Sequence, residues 1–137
     1  MKTILFQGDS ITDCSRYRKA TDEKQSSRVI FSDGRLFKRV TALGEGYPAM
    51  VSAELEKQHK GEYRFYNRGV GGDRIPDVYA RIVKDIINLK PDYMSILIGI
   101  NDCCHEYTQK NGVDAEKFEM VYGLIIEELQ DLFMGLF

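Results

Sequence analysis

The sequence has 137 residues, 43% of them hydrophobic and 29% charged, with a net charge of −2. That suits a single domain over residues 1–137 with its own core and excludes a disordered chain. It also gives no bulk attraction to nucleic acid or to an anionic membrane, and no apolar run approaches the ~18 residues of a membrane span.

The first predicted element is a short buried strand, Thr3-Ile4-Leu5-Phe6-Gln7, ended by Gly8-Asp9-Ser10. The run from Met1 to Phe6 is too short for a secretory leader, so a cytoplasmic setting is expected. Residues 13–45 read as a long connection, or a lid, with eight basic and five acidic residues and little periodicity. Within it, 29–37 has hairpin character, with Asp33-Gly34 as the turn. Gly46-Tyr47-Pro48 opens a helix whose Tyr47, Met50, Val51 and Leu55 share a face. A second strand, Arg64-Phe65-Tyr66-Asn67, leads into Gly69-Val70-Gly71-Gly72-Asp73. Helical spacing then runs through Val78, Ile82, Val83, Ile86 and Leu89 up to Pro91. Met94–Ile100 is a nearly continuous apolar strand, of the kind that parallel sheets bury on both faces. The last helix carries Phe118, Val121, Tyr122, Ile125, Leu129 and Leu132 on one side.

Alternation of strand and helix predicts a doubly wound α/β sheet with right-handed crossovers, whose ligand site lies at the carboxyl ends of the strands. Three motif-rich turns fall there: Gly8–Thr12, Asn67–Asp73 and Gly99–Asp102. Each has two readings when taken alone. Ser10, in a tight turn after a buried strand, has the layout of an exposed nucleophile, and equally that of a helix cap or an anion-binding loop. Gly71-Gly72 offers unshielded backbone amides to an oxyanion, or serves as a turn that needs positive φ. The Asn101 amide is a neutral donor at a strand end, or half of a turn-forming Asn-Asp pair.

Taken together and in this order, the three turns resemble those of the SGNH hydrolases, also called the GDSL esterase/lipase family, and in particular a bacterial branch with GDSITD at the first motif and GIND at the third. The resemblance runs from residue 1 to about residue 130. It implies a flavodoxin-like three-layer α/β/α sandwich with a parallel sheet, the first three strands in the order 2-1-3. It implies serine-dependent hydrolysis of small acyl or acylated-carbohydrate esters, with no metal and no other cofactor. Ser10 would be the nucleophile, and the Ser10 amide, the Gly72 amide and the Asn101 side chain would form the oxyanion hole. Asp9, Gly71, Asp102 and His105 would line the substrate site, with Asp9 and Asp13 ordering the first turn.

The family's fourth motif, an Asp-x-x-His that supplies the general base, has no counterpart after the last helix. The resemblance therefore implies that later strands and the base are missing and that activity is impaired. Of the two histidines, His59 lies among charges at a helix end. Asp102-Cys103-Cys104-His105 spells Asp-x-x-His inside the third motif, and His105 with Tyr107 is expected to line a pocket. Three cysteines, two of them adjacent, suggest reduced thiols rather than a disulfide framework or a zinc site.

A strand Met94–Ile100 left at an edge, together with the apolar tail Leu132–Phe137, predicts a homodimer that covers both. Two other readings remain: a non-catalytic acyl- or carbohydrate-binding module that keeps the oxyanion pocket, and a phosphate- or nucleotide-binding flavodoxin-like domain. The second is disfavoured by the absence of a Walker lysine and of GxGxxG spacing.

Overall fold

The computed structural model describes residues 1–18, 27–32 and 35–133. Strand β1 (Lys2–Gly8) is the centre of a three-stranded parallel sheet, with β4 (Tyr63–Asn67) on one side and β5 (Tyr93–Leu97) on the other. The order β4-β1-β5 is the expected 2-1-3. In register, Leu5 lies between Tyr66 and Met94, and Phe6 between Asn67 and Ser95. Strands β2 (Ser27–Ser32) and β3 (Arg35–Thr41) form a separate antiparallel pair. This is the hairpin expected inside the long connection; its 33–34 turn and residues 19–26 lie outside the described residues.

Side chains alternate across a strand, so Leu5 and Phe6 point to opposite faces of β1. On the Leu5 face, α3 (Ile75–Ala80), α4 (Ile82–Asp85) and α6 (Ala115–Phe133) close the core. Ile75, Val78, Ile82 and Ile86 meet Ile125 and Leu129 there, and all are buried. On the Phe6 face, α2 (Tyr47–Gln58) lies over the sheet, its Tyr47 ring edge-on to Phe6 at 5.6 Å. Helices on both faces of a parallel sheet make the α/β/α arrangement of the sequence reading.

The structure corrects four details. First, α2 turns Pro48 and Ser52 inward, and Met50 is 71% exposed. The Ser52 hydroxyl donates to Pro48 O at 2.6 Å, so a small residue with a satisfied hydroxyl lets the helix approach the sheet. Second, the single helix expected through Leu89 is broken at Arg81 (φ −114, ψ 17) and again at Ile86, followed by a 3-10 turn, Ile87–Leu89. That break leaves Val83 outside the core, 55% exposed.

Third, β5 ends at Leu97, and Ile100 begins an unexpected helix, α5 (Ile100–Gln109). Fourth, β5 is not covered on both faces. Met94 and Ile96 pack against the core, while Tyr93 and Leu97 are 42% and 44% exposed. Strand β5 is an edge among the described residues, as expected. The tail beyond Phe133, invoked for the dimer, lies outside them. No helix among the described residues is long and apolar enough to cross a membrane.

Candidate active site

The carboxyl ends of β1, β4 and β5 bring the three motif turns together. After β1, Asp9 caps the one-turn helix α1 (Ser10–Asp13), its side chain accepting from the Ile11 N–H at 2.9 Å. Ser10 therefore stands exposed at the first helical position. Val70 donates to Gly8 O at 3.0 Å, which draws the second turn over the first. Gly69 is required there, because any Cβ would run into the backbone of Thr12 and Asp13. Gly72 has φ +85 with open space around it, a conformation that L side chains avoid. A Cβ on Gly71 would lie 3.7 Å from Ser10 Cβ, so the double glycine flanks the serine directly.

The third turn starts α5 at Gly99 (φ +129). Asn101 Nδ2 donates to Asp73 O at 2.9 Å, tying the third turn to the second. A primary amide carries two N–H donors, so one remains after that bond. Among the described residues, no protein acceptor meets the Ser10 or Gly72 N–H. Each of the three turns thus keeps an N–H donor with no protein acceptor among the described residues.

Asp9 and Asp102, named above as substrate-binding, are 1% and 2% exposed. Both carboxylates are occupied by backbone: Asp9 by Ile11, and Asp102 by the Ile75 N–H at 3.0 and 3.2 Å. Their carboxylates order the turns. Burial pushes the Asp102 carboxyl above the usual carboxylate range, against the pull of the Ile75 hydrogen bond. Asp13 accepts from Gly71 N at 3.3 Å, and the Arg18 guanidinium pairs with it. Arg16 lies 3.4 Å from Asp13 and donates to Gly69 O at 2.8 Å. Two basic residues of the long connection therefore brace the site from beneath.

Asn67 is a residue whose role the sequence reading did not assign. Its Nδ2 donates to Thr12 O at 2.6 Å and to Leu43 O at 2.9 Å, while its Oδ1 accepts from Gly69 N at 2.9 Å. The available signal was its position, a polar amide at the buried end of a strand where backbone groups need partners.

His59 ends α2, which runs back toward the amino ends of the strands. It is therefore placed at the opposite end of the sheet from Ser10, where it meets Glu62 at 3.5 Å. His105 is half-buried on α5. Among the described residues no hydrogen bond joins it to Asp102. Nor does His105 line the 460 Å³ open cavity between α5 and α6; that cavity is formed by Asp102, Cys103, Glu106, Tyr107 and the 112–117 segment. All three cysteines are free. Among the described residues, no group of three or more His, Cys, Asp or Glu side chains is placed to hold a metal ion.

Residues 6–135 match the model of the GDSL-like Lipase/Acylhydrolase family. The chain belongs to that family. An acetylxylan esterase from Geobacillus stearothermophilus is 33% identical over 138 residues, spanning 97% of this chain and 56% of the esterase. The crystal structure of that enzyme superposes with a TM-score of 0.75 at 32% identity, covering 96% of this chain and 55% of the other. A candidate GDSL-like lipase from Parabacteroides merdae gives 0.75 at 28% identity, with 96% and 55% covered. This GDSL-family chain thus spans just over half the length of the relatives it matches. Catalytic mutants of the Geobacillus esterase replace a serine, and an aspartate and a histidine three residues apart.

Proposed function

We propose that this chain carries the nucleophile half of a serine ester hydrolase acting on small acyl esters, with acylated carbohydrates as the substrate class. The observation that supports this best is the meeting of an exposed Ser10 with Gly71-Gly72 and Asn101 at one end of the sheet. Ser10 Oγ attacks the ester carbonyl carbon as its proton passes to a general base, which then protonates the departing alcohol, and the carbonyl oxygen takes the negative charge. The Ser10 and Gly72 N–H groups and the second Asn101 N–H stabilise that charge. The alcohol then leaves, and water releases the acid from the acyl-serine. Each oxyanion donor is worth about 2.7–4 kcal/mol in such sites. The acetylxylan esterase relative points to acetylated sugars.

A general base is needed to activate the serine. His59 stands at the wrong end of the sheet, and among the described residues Asp102 bonds to the Ile75 N–H and makes no bond to His105. The proposed base is an Asp-x-x-His unit of the kind replaced in the relative's catalytic mutants. The 137 residues alone are then expected to turn over esters slowly, because the oxyanion hole and binding survive loss of the base.

Hydrolysis of p-nitrophenyl acetate tests this. Slow release above the buffer rate, removed by Ser10→Ala, is expected. Rapid release would return the base to His105, and release unaffected by Ser10→Ala would refute the assignment. A binding module without chemistry would instead retain acetylated xylo-oligosaccharides and release nothing. Pairing of two copies through the β5 edge belongs to the same proposal; a monomer in light scattering at high concentration contradicts it.

A further inference from the structure

One charged side chain near the site has no part in the chemistry above and yet bonds to both the end of β1 and the second turn. Arg81 sits where α3 gives way to α4, in a backbone conformation that belongs to neither helix. Its Nε and Nη2 donate to Asp73 Oδ2 at 2.9 and 2.7 Å. Its Nη2 also donates to Gln7 Oε1 at 2.8 Å, and its Nη1 to Arg68 O at 2.8 Å and Asp85 Oδ2 at 2.6 Å. The planar guanidinium is thereby engaged from every side.

The bonds to Gln7 and Asp73 lead on to the motif turns, while the bond to Asp85 stays within α4. Gln7 Oε1 also accepts from Gly8 N at 2.9 Å, just before the Ser10 turn. Asp73 N donates to Val70 O at 3.1 Å, closing the turn that carries Gly71 and Gly72. Asp73 O receives the Asn101 amide. Fixing the Asp73 side chain therefore fixes the carbonyl that aims Asn101 and the turn that aims Gly72. Burial works to raise the Asp73 carboxyl above its ordinary value, which makes a fully engaged guanidinium partner the more necessary.

We propose that Arg81 is a positioning residue that aligns the oxyanion donors of Gly72 and Asn101 through Asp73. This rests on the reading of those two residues as oxyanion donors. It requires the fork geometry of arginine, because a lysine ammonium is a point charge that does not bridge Asp73, Gln7 and Asp85 together. The break between α3 and α4 then has a purpose: it brings residue 81 under the site.

The test compares three variants of the full 137-residue chain. Arg81→Lys and Asp73→Asn cut the link to the site, and Asp85→Asn cuts the same guanidinium's bond to α4. In 1H–15N spectra, the Asn101 side-chain amide signals are expected to move in the first two variants and stay in place in Asp85→Asn, even as that variant melts at a lower temperature. The rate of Ser10 labelling by a fluorophosphonate is expected to fall about tenfold or more in the first two, within the range of a displaced oxyanion donor. Asp85→Asn is expected to label close to the parent rate.

If Arg81→Lys does not fold, Asp73→Asn against Asp85→Asn decides. Asn101 signals unmoved in Asp73→Asn, or moved as far in Asp85→Asn, overturn the proposal, because a merely structural ion pair would treat both carboxylates alike. Absence of labelling in the parent chain would instead refute the esterase reading, leaving the Asn101 signals to judge Arg81 by themselves.

Discussion

Beneath α3, α4 and α6 the sheet is closed by aliphatic side chains, with Leu5, Ile75, Val78, Ile86 and Ile125 buried together. At the carboxyl ends of the same strands the buried groups are Gln7, Asp9, Asp13, Asn67, Asp73 and Asp102. The first region is held by removal of apolar surface from water, about 1.5–3 kcal/mol for each side chain of this size. The second is held by hydrogen bonds whose net worth is small but whose loss leaves a buried group unsatisfied. The apolar region tolerates changes of shape better than changes of volume. The polar one depends on where each atom points. A site needing donors aimed at one oxygen is built where direction is enforced.

That contrast can be broken at either end. Ser10→Ala gives the largest effect: all serine-dependent labelling and turnover vanish while the melting temperature holds, since Ser10 is exposed and its side chain braces nothing in the network. Ile125→Ala, in the apolar layer, is expected to cost about 2–5 kcal/mol in urea unfolding. Asn101→Ala should lower Ser10-dependent turnover about a hundredfold with a smaller loss of stability. Asn67→Ala sharpens the comparison, because it removes no apolar surface. Leaving Thr12 O, Leu43 O and Gly69 N without their partner should still cost roughly 1–3 kcal/mol, again read by urea unfolding.

The smallest effect concerns pH. Asp102 has its pKa raised, so its contribution is present below the unfolded value and is lost as pH rises through the raised folded value. Asp77 is the opposite case. Burial opposes ionisation there, but the Arg74 side-chain and backbone hydrogen bonds outweigh it and lower the pKa. Its contribution is present above the unfolded value and is lost as pH falls through the lowered one. Asp102→Asn should therefore flatten the decline of stability between the unfolded and the raised folded value and leave the pH range below that interval unchanged, as measured by melting temperature against pH.

The same contrast explains what the sequence made legible. The strands and α6 were readable because apolar burial leaves a periodic trace, as at Phe118, Ile125 and Leu129. The motif turns were readable because glycine and serine at strand ends carry backbone requirements. Three features left no such trace. Helix α5, capped by Gly99, has a polar sequence and buries only Asp102. The break falls at Arg81, whose side chain bonds to residues far away in sequence, Gln7 among them, and the apolar spacing runs straight through it. Asp9 was legible as a residue that orders the first turn, whereas the bond from Asp102 to the Ile75 N–H joins residues 27 apart and left no trace in the sequence.

The most direct test of the central claim is mass-spectrometric mapping of the chain after exposure to a fluorophosphonate. The account predicts a single adduct on the peptide bearing Ser10, slow to form and absent from Ser10→Ala. No adduct after prolonged exposure, or an adduct that persists in Ser10→Ala, would contradict it.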